Sequence, residues 1–344
     1  MFTERCLDTC ILIINPRDSL LMVEKVIRLS VIVPYFNVEQ YAAENLRSLA
    51  QNAAPGTEFI LVNDGSTDAT SLIIADGAER LPHVRLITLP RNSGLSAARN
   101  AGLTSAHGRY LSFLDGDDVA APGHFSALLD VIERMGCDFV RTDHVQVSGR
   151  QRVLHRTSHA PRGVVLPARC GIGAAGQRSS VDAPYAWAGI YHRRLLDTGL
   201  LYFDEDLRTC EDRPWIWRLH LYADTFALVG LHGIRYRRDV SSSLTRLDDE
   251  RQFDFIPAFE RIIRSVATNR DASTLIPKAL ESYCAVLCHH VNQCDRYPPE
   301  LQRKLRASIA ASLARLPVEE LHTAIAALDV ERAATVENLL LAAA

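Results

Sequence analysis

Five apolar runs recur along the first half of the chain, and polar residues bound each of them. Their first residues lie 26 to 29 positions apart. The runs are LSVIVPYF (29–36), EFILVND (58–64), VRLITLP (84–90), YLSFLD (110–115) and CDFVRTDHVQV (137–147). Because β-branched and aromatic residues follow one another without alternation, the pattern predicts strands that are covered on both faces.

Helical patterns fill the gaps between these runs. NVEQYAAENLRSLAQNA carries one apolar stripe, STDATSLIIADGAERL opens on cap-forming residues, and SGLSAARNAGLTSAHG runs from a serine to Gly108. We also predict a capping box between Asn37 and Gln40. Strands and helices that alternate at this spacing predict βαβ units, and therefore an α/β fold with a mostly parallel sheet flanked by helices.

The second half of the chain follows a different pattern. Residues 148–186 are rich in Gly, Ser, Arg and Pro, which favours surface loops and short strands. From about residue 250 onward, apolar positions recur with a helical period. We predict three parts: an N-terminal extension at 1–27 that is disordered or not native, an α/β domain at 28–245, and a helical C-terminal region at 246–344.

Composition and charge narrow the class of protein. The 344 residues are 47% hydrophobic and 23% charged, and the formal net charge of −3 provides no basic field for nucleic acid. Eight scattered cysteines favour free thiols in a reducing cytoplasm. No apolar run approaches the roughly 20 residues of a membrane span. We expect a cytoplasmic protein, with peripheral contact at the inner face of the membrane as the alternative.

The fourth apolar run ends in a cluster of negative charge, Asp115, Asp117 and Asp118. Ligands of parallel α/β sheets bind beyond the carboxyl ends of the strands, so residues 34–37 and 63–68 are expected on the same edge. Carboxylates at the end of a buried strand are costly unless they are solvated, paired or bound to a cation. A divalent metal with a diphosphate would relieve their repulsion, and a polar turn or helix cap is the alternative.

Four motifs in this order and spacing resemble family 2 glycosyltransferases of the GT-A fold. They are LSVIVPYFNVEQYAAENLRSL (29–49), ILVNDGSTDAT (60–70), RNSGLSAARNAGLTSAHGRYLSFLDGDD (91–118) and CEDRPWIWRLH (210–220). The resemblance covers about residues 28–245. It implies a GT-A sheet and transfer of a sugar from a nucleotide-diphosphate donor.

Site residues follow from matching these motifs position by position. The resemblance implies that the nucleotide is bound by Pro34, Tyr35, Glu39, Asp64, Arg99 and Asp115. Among these, Asp64 matches the partner of the base, and Asp115 the residue near the ribose. Asp117 matches the ligand of a metal, Mn²⁺ or Mg²⁺, that bridges the diphosphate. Asp118 is expected to be a structural neighbour that starts the next turn.

Catalysis is expected at the motif CED. The resemblance implies that Asp212 is the base, with Glu211 beside it as a second catalytic candidate, although ED alone also fits a helix N-cap. Pro214 favours the first turn of a helix, whose N-terminus would stabilise an ionised Asp212. One base that assists direct attack implies inversion at the anomeric carbon.

Two further segments provide weaker candidates. YRRDVSSSLTR (236–246) resembles a segment that contacts the diphosphate, with Arg238 and Ser243 as candidates, and a solvated basic loop fits it equally well. YAWAGIYHRRLL resembles the stretch on the acceptor side, with Trp187 and Gly189 as candidates.

Two other patterns are weaker than their motifs suggest. GIGAAG (171–176) matches a dinucleotide-binding fingerprint, but no suitable strand precedes it and no helix follows, so we expect a loop near the acceptor site. CAVLCHHVNQC (284–294) offers Cys284, Cys288 and Cys294, of which only the first two share a helix face. Core packing is therefore favoured over a zinc site.

These patterns together predict a metal-dependent inverting glycosyltransferase. The donor is expected to be a UDP-sugar, the acceptor a glycan or another hydroxyl compound, and the pathway cell-surface polysaccharide or glycoconjugate synthesis. A nucleotidyltransferase is disfavoured, because PYFNVEQ lacks a Gly- and Arg/Lys-rich loop. A non-catalytic scaffold would not need all four of Asp64, Asp115, Asp117 and Asp212. The C-terminal helices are expected to dock the acceptor or to form a homo-oligomer.

Overall fold

The computed structural model describes residues 26–158, 160–238, 240 and 247–341. Most of the predicted N-terminal extension therefore lies outside the described residues. An eight-stranded sheet forms the centre of the fold. Its spatial order is β3 (Val84–Thr88), β2 (Thr57–Asn63), β1 (Leu29–Tyr35), β4 (Tyr110–Phe113), β10 (Gly189–His192), β6 (Phe139–Thr142), β11 (Thr225–Val229) and β9 (Val165–Pro167).

A smaller sheet, eleven α-helices and four short 3-10 helices complete the described structure. The smaller sheet has the order β5 (Val119–Ala120), β12 (Ile234–Arg237), β7 (His144–Ser148) and β8 (Gln151–His155). The helices are α1 (Glu39–Ala50), α2 (Thr70–Ala78), α3 (Leu95–Ser105), α4 (His124–Met135), α5 (Arg194–Asp197), α6 (Asp212–Tyr222), α7 (Phe255–Ala267), α8 (Ala272–Asn292), α9 (Pro299–Leu313), α10 (Val318–Ala326) and α11 (Val330–Leu341).

The predicted α/β class is confirmed, and β1 to β4 form the predicted parallel block. Every residue of β1, β2 and β4 is buried, which accounts for their unbroken apolar runs. The third run is an exception, because β3 is an edge strand on which Arg85 and Leu86 are exposed. Coverage of this strand on both faces was wrongly predicted.

The fifth run does not form one strand. It is divided between β6 in the central sheet and β7 in the smaller sheet. Asp143 lies between them, and its carboxylate accepts a hydrogen bond from the backbone N–H of Thr157 at 3.0 Å and pairs with Arg162 at 2.8 Å. The chain therefore leaves the central sheet at a buried acidic residue, within a run that reads as continuous in the sequence.

The predicted capping box at α1 is wrong. Asn37 has a φ of 49°, and its side-chain oxygen accepts the backbone N–H of Thr67 at 2.8 Å. The N-cap of α1 is Val38, which makes no side-chain cap hydrogen bond. Asn37 is occupied because the loops after β1 and β2 bind each other here, at the carboxyl edge of the sheet.

Strand β10 changes what lies at this edge. It runs antiparallel between β4 and β6, with Ile190 opposite Ser112. The Ser112 hydroxyl donates to the carbonyl of Gly189 at 2.9 Å, so the chain that enters β10 lies beside the carboxyl end of β4. Residues 183–188 therefore reach the same edge as the acidic cluster.

The predicted helical C-terminal region is present. Helix α7 packs on α6, α8 packs on α7 and α10, and α11 packs on α8 and α9. Cys284 and Cys288 lie buried among these helices, as expected of core residues. Among the described helices, none has both the length and the apolar character to cross a bilayer.

Candidate active site

The acidic cluster forms a tight turn directly after β4. Asp118 is fully buried, and one of its carboxylate oxygens accepts the backbone N–H of Arg237 at 2.7 Å, while the other has no partner among the described residues. Asp117 is half-buried, and no other described residue donates a hydrogen bond to its carboxylate. Burial, and then the charge of Asp115, raise the pKa of Asp117 to about 6. The turn thus holds negative charge that nearby groups compensate only in part.

The backbone of this turn is held from below by two residues of the first motif. The side-chain amide of Asn45 donates to the carbonyls of Asp115 at 3.0 Å and Asp118 at 2.8 Å. Its oxygen accepts the hydroxyl of Tyr35 at 2.5 Å. A Cβ at Gly116 would lie 2.5 Å from the Tyr35 ring, so only glycine allows the turn to sit this close to β1. Tyr35 is buried beneath the turn.

Arg237 holds the turn from the other side. Its Nε donates to the carbonyl of Asp117 at 2.9 Å, and its guanidinium also bonds Glu44 at 3.0 Å and lies 4.7 Å from the Tyr41 ring centroid. Because both Arg237 and Asn45 bind main-chain atoms, they fix the direction of the acidic side chains. Neither residue was predicted from the sequence, because a contact with main-chain atoms requires no recognisable motif. Pro34, which was predicted, also holds the turn, since its carbonyl accepts the N–H of Gly116 at 3.1 Å.

We predict that Asn45→Ala lowers the free energy of unfolding by about 2 to 4 kcal/mol, because two buried carbonyls and a tyrosine hydroxyl lose their partner. Asn52→Ala is the matched control, since Asn52 is also buried and bonds the carbonyls of Ser48 and Ala121 away from the acidic side chains. Both variants should lose stability in urea titrations. Only Asn45→Ala should weaken nucleotide binding, and equal nucleotide affinity in the two variants would contradict the positioning role.

A buried arginine joins the acidic turn to the motif CED. Arg99 of α3 is 3% exposed, and it donates to Asp115 at 2.9 Å and to Glu211 at 2.9 Å. Glu211 is buried just before α6, after Cys210, whose φ of 57° turns the chain sharply. Burial, and then the charge of Asp212, raise the pKa of Glu211 to about 7, and Arg99 opposes this rise. The structure thus brings together residues 99, 115 and 211.

Asp212 is the first residue of α6 and is half-buried. No described residue donates a hydrogen bond to its carboxylate, in contrast to Glu211. Burial raises the pKa of Asp212, while the charges of Arg213 and Arg99 lower it. Because no described residue donates a hydrogen bond to it, the Asp212 carboxylate can accept a proton from a bound molecule. Its position at a helix N-terminus, beside the Arg99 bridge, stabilises the ionised form that this requires.

Asp64 and Glu39 bind main-chain groups at the same edge. Asp64 is 3% exposed, and its two oxygens accept the N–H groups of Ser93 at 2.7 Å and Gly94 at 2.8 Å, where α3 begins. Glu39 is exposed and accepts the N–H of Ala69 at 2.8 Å. Both carboxylates therefore shape the loops around the predicted nucleotide pocket, and their roles toward a base remain predictions.

Three of the four weaker candidates, Trp187, Gly189 and Arg238, lie among the described residues, on or beside strands β10 and β12. Trp187 is 3% exposed and stacks on Tyr185, with 4.8 Å between ring centroids. Gly189 starts β10, and a Cβ there would lie 2.4 Å from the carbonyl of Val140. Arg238 is exposed and donates to the Tyr236 hydroxyl at 3.2 Å. Ser243 lies outside the described residues.

The acidic turn is the part of the site that could help to hold a metal ion. Within the part of the chain that the structure describes, no group of three His, Cys, Asp or Glu side chains is arranged to hold an ion by itself. Asp117, with Asp115 nearby, fits a divalent cation that takes its remaining ligands from a bound diphosphate, since Mg²⁺ and Mn²⁺ commonly use one or two carboxylates with phosphate oxygens. The partnerless Asp117 carboxylate and its raised pKa agree with that fit.

Comparisons with known proteins agree with the geometry. Residues 30–196 match the family model described as glycosyl transferase family 2. The uncharacterized glycosyltransferase EpsJ of Bacillus subtilis (strain 168) is 28% identical over 84% of this chain and 85% of its own length. The succinoglycan biosynthesis protein ExoO of Rhizobium meliloti (strain 1021) is 30% identical over 55% of each chain.

The poly(ribitol-phosphate) beta-N-acetylglucosaminyltransferase TarS of Staphylococcus aureus (strain Mu50) is 29% identical to this chain. The match covers 59% of this chain and 34% of TarS. A crystal structure of S. aureus TarS in complex with UDP-GlcNAc superimposes with a TM-score of 0.73 and 21% identity, covering 90% of both chains. This likeness shows that the fold is that of GT-A enzymes. The family match over residues 30–196, the relatives and the fold together identify the chain as a glycosyltransferase that is similar to family 2.

Proposed function

We propose that this glycosyltransferase is metal-dependent and inverting, and that it transfers a sugar from a UDP-sugar to a hydroxyl acceptor. The observation that carries the proposal is the bridge from Asp115 through Arg99 to Glu211, beside a partnerless Asp212. This bridge brings the carboxylates of Asp115 and Glu211 together at one edge of the sheet, which supports a donor site and a base site that adjoin each other. The complex of S. aureus TarS with UDP-GlcNAc supports a UDP-linked donor. Relatives named for succinoglycan and minor teichoic acid biosynthesis support a role in cell-surface polymer synthesis.

The donor would lie beyond the carboxyl ends of β1, β2 and β4. Asp117, with Asp115 nearby, would hold Mn²⁺ or Mg²⁺ together with the diphosphate, and this cation supplies charge neutralisation for the leaving group. Arg99 keeps Asp115 in place, and Asn45 and Arg237 hold the turn that carries both aspartates. A rigid turn of this kind lets the site act without reorganising as the leaving group departs.

Asp212 would act as the general base. As the acceptor oxygen attacks the anomeric carbon, its proton passes to the Asp212 carboxylate and the bond from that carbon to the diphosphate oxygen breaks, releasing UDP. Attack opposite the leaving group inverts the configuration. Glu211 is occupied by Arg99, so it serves better to orient the bridge than to accept the proton. The same proposal includes a glycan or another hydroxyl compound as acceptor and association into a homo-oligomer through the C-terminal helices. It also includes a cytoplasmic location, with peripheral contact at the inner face of the membrane as the alternative.

A panel of nucleotide sugars tests the donor. We expect a UDP-sugar to raise the melting temperature in the presence of Mn²⁺, because a ligand that binds only the native state stabilises it by mass action. GDP- and CMP-sugars serve as controls. If no UDP compound raises the melting temperature while another nucleotide does, the UDP assignment is wrong; release of pyrophosphate from a nucleoside triphosphate and a sugar phosphate would instead support a nucleotidyltransferase.

The pH dependence of turnover tests the base. Asp212 accepts a proton only when it is ionised, and burial raises its pKa above the ordinary value of 3.8. We therefore expect kcat to fall as the pH is lowered through a pKa above that value. Arg213 lowers the pKa of Asp212, so Arg213→Gln should move this limb to higher pH. The exposed Arg303 of α9 provides the control Arg303→Gln, and an unmoved limb in Arg213→Gln would contradict the assignment.

A further inference from the structure

Three aromatic side chains, Tyr185, Trp187 and Tyr236, form what we call the aromatic wall. Tyr236 lies 5.1 Å from Trp187 and 5.7 Å from Tyr185 between ring centroids. Trp187 is buried behind the two tyrosines, which are half-buried and reach the surface. Tyr236 directly precedes Arg237, which holds Asp117 and Asp118. The aromatic wall therefore borders the acidic turn.

The opposite end of the aromatic wall faces α6. Residues 180–182 pack against α6, which begins at Asp212. The fully buried Arg141 donates to the carbonyls of Ala183 and Tyr185, each at 2.7 Å, and so fixes the segment between them. Burial, and then the charge of Asp212, raise the pKa of the Tyr185 hydroxyl, which agrees with this proximity. The aromatic wall thus spans from the acidic turn to the proposed base.

Three arginines, Arg178, Arg213 and Arg238, lie close enough to Tyr185 to act on its hydroxyl electrostatically. Each lowers the pKa of the Tyr185 hydroxyl, and none forms an ion pair with a described acidic side chain, although the charge of Arg213 also lowers the pKa of the adjacent Asp212. Arg238 lies 5.6 Å from the Tyr236 ring centroid. Arg178 lies in the segment just before residues 180–182, and Arg213 lies in the first turn of α6. These are the two elements beside the aromatic wall.

The acidic residues near Arg178 are already engaged. Lys278 of α8, itself 3% exposed at its side chain, pairs with Asp182 at 2.9 Å and with Glu281 at 3.4 Å. Asp182 also accepts the backbone N–H and the hydroxyl of Ser179. No described acidic side chain therefore forms an ion pair with Arg178, although the group of Asp182, Lys278 and Glu281 retains one negative charge.

We propose that the aromatic wall and these three arginines form an acceptor subsite for a phosphate-bearing sugar or polyol. Guanidinium groups match phosphate oxygens in geometry and charge, and flat aromatic faces pack against the C–H faces of a sugar. The subsite ends at Asp212, where the attacking hydroxyl must lie. This inference rests on the proposed function and adds the chemical class of its acceptor.

Calorimetric titration of the full chain, saturated with UDP, tests the subsite apart from the donor site. Glucose 6-phosphate is compared with glucose, and geranyl diphosphate with geraniol. We expect a phosphate-bearing probe to bind at least about tenfold more tightly than its neutral counterpart, the effect of one charge-assisted contact. Tighter binding of the sugar phosphate supports a phosphate-bearing sugar or polyol, whereas tighter binding of the geranyl compound alone indicates a lipid diphosphate and overturns this acceptor class.

The variant Arg178→Gln should weaken the phosphate-bearing probe about tenfold and leave UDP affinity unchanged. Arg178 is exposed, so the fold should survive, and circular dichroism verifies this. Arg303→Gln is the matched control and should change neither affinity. Equal binding of phosphorylated and neutral probes, or an unaltered affinity in Arg178→Gln, overturns the subsite. Absence of UDP binding in the unaltered protein would contradict the proposed function instead, and the probes can then be titrated without UDP.

Arg238→Gln decides the assignment of that residue, which the sequence places at the donor diphosphate. A weaker phosphate-bearing probe with unchanged UDP affinity supports its place in the acceptor subsite. A loss of UDP affinity with the probe unaffected removes Arg238 from the subsite.

Discussion

Asp212→Asn is expected to lower kcat by about 10²-fold or more, the scale of lost general-base catalysis. Asparagine keeps the size and position of the side chain at the start of α6 but cannot accept the acceptor's proton at neutral pH. Because the Arg99 bridge to Asp115 and Glu211 does not involve Asp212, donor binding should be retained. Initial rates of UDP release with acceptor present, together with UDP affinity, measure both effects.

A matched control separates this loss from a general loss of negative charge near α6. Asp206 is an exposed aspartate in the segment before α6, and it pairs with Arg261 of α7. Asp206→Asn should keep turnover within a few-fold of the unaltered protein. Near-normal turnover in Asp212→Asn would remove Asp212 as the base, and Glu211→Gln would then be the next variant to measure.

Asp117→Asn is expected to abolish the dependence of UDP binding on Mn²⁺. Asp117 is half-buried, and no other described residue donates a hydrogen bond to its carboxylate, so the change removes the proposed cation ligand without breaking a contact with another residue. Burial and the charge of Asp115 already disfavour its ionised form. The neutral asparagine should therefore not lower the stability of the protein without metal, and UDP titrations with and without Mn²⁺ should coincide.

Two comparisons make this expectation specific. Asp130→Asn alters an exposed aspartate on α4 and should leave the effect of Mn²⁺ intact. Unfolding curves of Asp117→Asn without metal should match those of the unaltered protein, which excludes misfolding as the cause. If Mn²⁺ still strengthens UDP binding to Asp117→Asn, the cation is held elsewhere and the assignment of Asp117 fails.

Much of the fold can be read from the order of residues, because it depends on local preferences. Unbroken apolar runs at regular spacing predict β1, β2 and β4, since strands inside a covered parallel sheet have no polar face. The acidic end of β4 and the ED pair before Pro214 are also visible, because strand ends and helix starts have local signatures. These features were enough to indicate the family and its carboxylates.

Other features arise only when distant segments meet. The strand pattern did not reveal that residues 137–147 divide between two sheets, or that β3 lies at an edge, because neighbours in the sheet set both. Asn45 and Arg237 act on main-chain carbonyls, and such contacts require no particular sequence around them. Arg99 pairs with both Asp115 and Glu211 only because α3, β4 and α6 pack together. Tertiary packing also determines that the three arginines near Tyr185 form no ion pair with a described acidic side chain. Local sequence decides which elements form and which charges they carry, whereas their packing decides which charges form ion pairs and which do not.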